Sequence, residues 1–160
     1  MRKQQGGFFL IEALVAILIF SLGILGMISM GSAAIAGQTD AQVRTDAATF
    51  ADELAGQIAL SVNRLTDDAA TSASLAPFAH HPTPGGYCTF GGAASADPVV
   101  TAWLGRLTGP GGLPGATAAR QSIAIDTSLT GYNQVMIAIC WRGQNDNAMR
   151  RFMTTAYVNR

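Results

Sequence analysis

Residues 7–30 read GFFLIEALVAILIFSLGILGMISM, and this stretch decides how the chain is organised. From Phe8 to Gly37 the only charged residue is Glu12. A helix of about 20 apolar residues is long enough to cross the hydrocarbon core of a membrane. Arg2 and Lys3 precede the stretch, so the positive-inside rule predicts a cytoplasmic N-terminus and export of the remainder of the chain.

Three interpretations of this segment compete. A secretory signal peptide cleaved at Ala34-Ile35-Ala36 is the first, although the apolar run exceeds the roughly 7–15 residues typical of such peptides. An uncleaved membrane anchor is the second. It explains the length of the run but leaves Glu12 as a costly carboxylate within an apolar helix. The third interpretation depends on a resemblance carried by the residues around Gly7.

The segment Gly7-Phe8-Phe9-Leu10-Ile11-Glu12 resembles the type IV prepilin signature. Members of the type IV pilin-like family have a short basic leader ending in glycine, then a bulky apolar residue, then a glutamate at the fifth mature position. Here residues 1–7 match the leader, Phe8 the first mature residue and Glu12 the glutamate. One departure is that residues 8–37 lack the proline of many major pilins and contain four glycines instead, namely Gly23, Gly26, Gly31 and Gly37.

The resemblance implies cleavage after Gly7 by a prepilin peptidase and N-methylation of Phe8. It also implies that the apolar helix first anchors the subunit in the inner membrane, with a periplasmic head, and later packs in the core of an extracellular pilus. Glu12 would then pair with the Phe8 amine of a neighbouring subunit and set the register of assembly, because an unpaired carboxylate in an apolar core is costly. The implied partners are the peptidase, other minor pilins, the major pilin, the inner-membrane assembly platform and, before assembly, membrane lipid.

The sequence becomes amphipathic after residue 37. Apolar residues then recur at steps of three and four, which is the spacing of one helix face: Val43, Ala47, Phe50, Leu54, Ile58, Val62 and Leu65. We therefore predict one nearly continuous helix over about 8–65, with a transmembrane or filament-core half over 8–37 and an amphipathic half over 38–65.

Residues 66–160 are predicted to form a C-terminal α/β head. Proline and glycine interrupt residues 66–98, which favours a loop with room for a short helix. A helix is predicted over 98–107, where proline stands near the start and Trp103 and Leu107 would anchor it to a sheet.

Three strands close the chain, over residues 121–126, 134–142 and 151–158. The middle segment is apolar on both faces, as a central strand should be, and short connections favour an antiparallel sheet. A long N-terminal helix packed on a small antiparallel β-sheet is an α+β fold, and the resemblance implies that it is the type IV pilin fold.

The two cysteines, Cys88 and Cys140, are an even pair in a domain expected to be exported, which predicts a disulfide worth roughly 4 kcal/mol. His80 and His81 are adjacent, and neighbouring side chains on an extended chain point to opposite faces, so the pair is a poor chelator. We predict no metal and no cofactor. The chain also lacks the common catalytic motifs, so we predict that it is not an enzyme.

Charge is balanced overall but unevenly placed. The formal net charge of zero argues against nucleic acid as a partner. Residues 38–68 hold six acidic residues against two arginines, for −4, and residues 69–160 hold six arginines against three acidic residues, for +3. This distribution indicates either two ordinary solvated faces or contacts between the basic head of one subunit and the acidic helix of another.

A finer resemblance concerns the minor pilins of the PilV type. It rests on the helix that contains Trp103, the Leu113-Pro114-Gly115 loop, a strand ending in Trp141-Arg142 and the Gly23-Ile24-Leu25-Gly26 stretch. The leading expectation is therefore a minor type IV pilin acting in adhesion, motility or DNA uptake. The alternatives are a minor pseudopilin of a type II secretion system, a membrane-anchored periplasmic binding module and a soluble domain released after Ala36.

Overall fold

The computed structural model describes residues 8–128, 132–143 and 146–159. Contacts divide the chain into two compact units, Met1–Ala41 and Gln42–Arg160. Helix α1, Phe8–Ser61, contributes to both units. The predicted leader, residues 1–7, lies outside the described residues.

The first unit consists of the N-terminal part of α1. Residues 9–39 are all exposed, and they are mostly leucine, isoleucine, alanine, methionine and phenylalanine. A helix satisfies the backbone N–H and C=O groups of such a segment internally, which an apolar environment requires. The continuous apolar helix predicted for this segment is confirmed.

In the described residues, the second unit contains two shorter α-helices in addition to the end of α1. Helix α2 spans Asp68–Leu75 and helix α3 spans Pro98–Thr108. Each begins at an aspartate N-cap, because the Asp67 carboxylate accepts a hydrogen bond from the Ala70 N–H at 2.7 Å and Asp97 accepts one from Val99 at 2.8 Å. The helix predicted over 98–107 is thus confirmed, with proline at its start.

The five strands of the described ranges form two antiparallel sheets. Strands β1 (Thr83–Pro84) and β2 (Phe90–Gly91) make a small hairpin that the sequence did not predict. The larger sheet has the order β3-β4-β5 and comprises β3 (Ser122–Asp126), β4 (Gln134–Trp141) and β5 (Arg150–Tyr157). Each of these three strands ends within one residue of its predicted bounds, and the α+β architecture is confirmed.

The apolar stripe of α1 enters the core of the second unit. Leu54 and Ile58 are completely buried and share a cluster with Ile137 and Ile139 of β4. Leu65 was predicted to continue the stripe, and this prediction is wrong: the helix ends at Ser61 and the Leu65 side chain is 93% exposed.

The chain turns away after Ser61 because hydrogen bonds to α2 hold the next residues. The Asn63 N–H donates to the Ser74 hydroxyl at 3.1 Å, and the Thr71 hydroxyl donates to the Asn63 carbonyl at 3.0 Å. The Asn63 side-chain oxygen in turn accepts from the Leu65 N–H at 3.0 Å. These bonds fix a turn where the sequence pattern alone suggested a further turn of helix.

Trp103 joins α3 to α1. Its ring is completely buried, and its indole N–H donates to the Phe50 carbonyl at 2.9 Å. Leu107, one turn later, is also completely buried. Both residues were predicted to anchor this helix to the sheet; both are buried in the common core, and the hydrogen bond of Trp103 goes to helix α1 and not to the sheet.

Strand β4 is central and buried on both faces, as predicted. Gln121, just before β3, extends the pairing beyond the strand, because its side-chain amide donates to the Cys140 carbonyl and accepts from the Cys140 N–H, both at 2.9 Å. The Gln121 side chain therefore takes the place of one more backbone pair at this end of β3.

Candidate functional site

The exposed apolar surface of α1 is the largest unusual feature of the described chain. Soluble proteins rarely leave large contiguous apolar patches in water, and such patches mark sites of contact with membrane or protein. Here the large apolar side chains from Phe9 to Ile35 stay 42–81% exposed. By length and composition, α1 is able to cross a membrane.

Three hydroxyl groups within residues 9–39 are satisfied by the helix itself. The hydroxyls of Ser21, Ser32 and Thr39 each donate to the carbonyl four residues earlier, at 2.7, 3.2 and 3.1 Å. Such bonds remove the cost of placing a hydroxyl in an apolar medium. The helix surface is therefore suited to burial in lipid or among other apolar helices, despite containing these polar residues.

Glu12 stands alone on this surface as a charged side chain. It is exposed, and the apolar residues around it offer no opposite charge. Phe8 is the first residue of α1 and lies four residues earlier, so the two positions fall on one side of the helix about 6 Å apart along its axis. The Phe8 side chain and Gly7 lie outside what the structure describes, so the cleavage and methylation of this junction remain predictions.

The four glycines of the apolar stretch make no demand within the chain. A Cβ atom added at Gly23, Gly26, Gly31 or Gly37 would meet nothing within 4 Å in the described structure. The helix therefore does not need glycine at these positions for its own packing.

The predicted disulfide is present. Cys88 and Cys140 are bonded, their Cα atoms are 5.9 Å apart, and both are buried. The bond ties the segment between β1 and β2 to the central strand. Cys88 has a φ of 57°, an uncommon conformation for a residue with a Cβ.

His80 has a structural position that the sequence did not reveal. It is 98% buried, its Nδ1 accepts from the Ser95 N–H at 3.1 Å, and its Nε2 lies 3.0 Å from the Ala118 carbonyl. These partners require a neutral ring with the proton on Nε2. Burial lowers the pKa of His80 below 6.5, outweighing the opposing effect of the Ala118 hydrogen bond, and the neighbouring His81 lowers it further.

The remaining polar groups of the described chain do not assemble into a chemical centre. No group of three or more histidine, cysteine or acidic side chains within the described ranges could hold a metal ion. A shallow groove is lined by Asp46, Thr49, Phe50, Glu53, Gly111 and Gly112. Glu53 forms an ion pair with Arg106 of α3. One acidic residue of the helix is therefore paired with the basic head of its own subunit.

One surface of the head was missed by the sequence reasoning. Tyr87, Met153 and Tyr157 are 61%, 55% and 63% exposed, and the Arg151 guanidinium lies 4.7 Å from the centre of the Tyr87 ring. Tyrosine, methionine and arginine are enriched in protein interfaces. The residue types over 151–157 predicted a strand, but no local sequence pattern indicated that the outer edge of β5 would lack a partner strand in the described chain.

Comparisons with known proteins add no relative: no protein-family model matches the chain, and no curated protein or solved structure matches it.

Proposed function

We propose that this chain is a minor subunit of a type IV pilus-like filament, made as a prepilin and cleaved after Gly7. The observation that carries the proposal is the exposed apolar half of α1, which is interrupted by a single carboxylate at Glu12. In this proposal the apolar half holds the subunit in the inner membrane before assembly and lies among other such helices afterwards. The α+β head would then have the type IV pilin fold.

The physical case rests on the cost of leaving this helix in water. Each large apolar side chain that stays exposed forgoes about 1.5–3 kcal/mol of burial free energy. Membrane insertion recovers this free energy but leaves the Glu12 carboxylate near an apolar medium. Pairing it with the positive amine created at Phe8 of a neighbouring subunit offsets that cost and fixes how the two helices are staggered.

The first experiment is mass spectrometry of the mature N-terminus, on protein from membrane fractions and from filaments sheared off cells with active prepilin peptidase. The proposal expects an N-methylated Phe8 in both fractions. An intact Met1 would instead indicate an uncleaved anchor, and an N-terminus at Gly37 would indicate a released soluble domain; either result contradicts the proposal.

The second experiment separates cleavage from assembly. Glu12→Gln keeps the shape of the side chain and removes its charge, so we expect normal cleavage and at least a tenfold loss of the subunit from sheared filaments. Ser32→Ala is the matched control, because the Ser32 hydroxyl bonds only its own helix, and it should assemble normally. Equal assembly of Glu12→Gln and the unmodified chain would contradict the register role of Glu12.

The more specific proposal is a minor pilin of the PilV type, with the prepilin peptidase, other minor pilins, the major pilin and the assembly platform as partners. Deleting the gene and counting surface pili tests this assignment. Loss of pili with normal protein secretion supports it. The opposite phenotype would favour a minor pseudopilin of type II secretion, which uses the same N-terminal helix.

A further inference from the structure

The two edges of the three-stranded sheet differ. At the β3 edge, the His80 N–H donates to the Ile123 carbonyl at 3.0 Å and the Ile123 N–H donates to the His80 carbonyl at 2.8 Å. The Ser122 hydroxyl also donates to the His81 carbonyl at 2.9 Å. The segment before β1 therefore closes this edge.

The register shows which backbone groups of β5 face outward. Ile123 directs its backbone groups away from β4, so alternation along β3 and β4 makes Val135, Ile137, Ile139 and Trp141 the residues of β4 that bond β5. Their partners on β5 are the even-numbered residues 150–156. The ladder continues past the strand, since the Val158 N–H donates to the Asn133 carbonyl at 2.9 Å.

The odd-numbered residues of β5 consequently point their N–H and C=O groups away from the sheet: Arg151, Met153, Thr155 and Tyr157. Within the described residues, no strand pairs with this edge. The strand contains no proline, which is a common means of blocking an open edge. The side chains of the same four residues are exposed, and that of Arg151 lies over the Tyr87 ring.

We propose that β5 is a docking edge that takes an extended strand of a different polypeptide, adding a fourth strand to the sheet. The partner strand would hydrogen-bond the four outward-facing residues of β5. Charge defines its chemistry further: Arg151 contacts the Tyr87 ring and has no carboxylate partner in the described chain, so an acidic residue of the partner fits opposite it. Met153 and Tyr157 favour apolar or β-branched residues on the same face.

A second copy of this chain fits the edge less well. Its β3 edge is closed by His80, which prevents a continuous sheet running from one copy to the next. Antiparallel pairing of β5 with the β5 of a second copy needs a two-fold axis perpendicular to the sheet. Such an axis would reverse the direction of the α1 residues 42–61 that pack on the sheet, whereas subunits anchored in one membrane run parallel; this last exclusion rests on the proposed function.

Hydrogen exchange of the full chain in detergent micelles tests the open edge directly. Without a partner, the amides of residues 152, 154 and 156 should be protected and those of 151, 153, 155 and 157 should exchange at least tenfold faster. Uniform protection along β5, together with a dimer in analytical ultracentrifugation, would show that a second copy occupies the edge and would overturn the proposal.

Binding is tested with blocked eight-residue peptides of alternating threonine and valine, with glutamate or lysine placed at each outward position in turn. We expect a glutamate peptide to slow exchange at Met153 and Thr155 at least tenfold, and its lysine counterpart to bind at least tenfold more weakly. Arg151→Gln should abolish the preference for glutamate. If no peptide in the set protects these amides, the proposal fails.

The variant Thr155→Pro should block peptide binding at the β5 edge specifically. It removes an N–H that faces outward, so the bonds between β5 and β4 survive, whereas peptide binding should be lost. Thr155→Val is the matched control and should bind as the unmodified chain does. If Thr155→Pro lowers the unfolding midpoint, Met153→Pro takes its place. Peptide binding that survives proline in a variant with an unchanged midpoint would overturn the proposal.

Discussion

Removing the disulfide should cost the head about 4 kcal/mol of stability. The bond joins Cys88 to Cys140 across a sequence separation of 52 residues. In the chain-entropy model, closing a loop of that length removes about 14 cal/mol/K from the unfolded chain, which is about 4 kcal/mol at 25 °C. Since small domains are stable by only about 5–15 kcal/mol, the change takes a large share of the total.

The assay is urea unfolding of the full chain in non-ionic detergent, followed by tryptophan fluorescence. Both tryptophans of the chain, Trp103 and Trp141, are buried in the head, so the signal reports on that unit. The variant Cys88→Ala/Cys140→Ala should unfold at a lower urea concentration. Its slope with denaturant should rise, because an unfolded chain without the cross-link exposes more surface.

A reducing agent provides the control. It should lower the stability of the unmodified chain by the same amount and leave the double-alanine variant unchanged. If the double variant lost less than about 1 kcal/mol, the loop-entropy reasoning would be refuted. Unequal effects of reduction and substitution would mean that packing of the two sulfur atoms, and not the cross-link, is what stabilises the head.

Three further predictions concern the buried polar groups of the head. Because the pKa of His80 is lowered in the folded state, the unfolded state takes up a proton below pH 6.5 that the folded state does not. The urea midpoint of unfolding should therefore fall as the pH is lowered below 6.5. His80→Gln should flatten this pH dependence of the midpoint, and His81→Gln should not. Gln121→Leu should cost roughly 2–4 kcal/mol in urea unfolding, because it leaves both backbone groups of Cys140 without partners. Trp103→Phe should cost about 2 kcal/mol in thermal unfolding monitored by circular dichroism, through a lost hydrogen bond and a smaller ring.

Elements with a strong local period were predictable from the sequence. Leu54 and Ile58 lie one turn apart and are both completely buried, because a helix places residues four apart on the same face. The β4 strand was recognisable since an apolar run without alternation has to be covered on both faces. In each case the residues that form the pattern are close together in the chain.

Features that depend on distant partners were not predictable. The end of α1 is set by bonds between Asn63 and α2, and a periodicity analysis does not contain them. His80 looked like a loop residue beside Pro82, yet its partners Ser95 and Ala118 bury it. The hairpin of β1 and β2 was not predicted because each strand has only two residues, and β1 includes Pro84, a residue uncommon in strands.

The candidate functional residues show the same contrast between local patterns and distant partners. Phe8 and Glu12 were singled out by their order in the sequence, and the structure adds that the surface around Glu12 is apolar and exposed. The open edge of β5 required the register of all three strands, because only the register shows that Arg151 and Thr155 direct their backbone groups outward. No local pattern carries that information.

The two parts of α1 should respond differently to substitution, and this difference links stability to function. Ala47 and Leu54 are completely buried in the head, so enlarging or truncating them acts on folding. Ile17 and Leu25 are 63% exposed, so alanine at either position removes no contact of the head and should leave its unfolding midpoint unchanged.

Such changes can act only through whatever surrounds the apolar half, which in the proposed function is lipid or neighbouring subunits. A loss of assembly with an unchanged midpoint would therefore locate the defect between molecules, and a lowered midpoint would mean that the apolar half also supports the head.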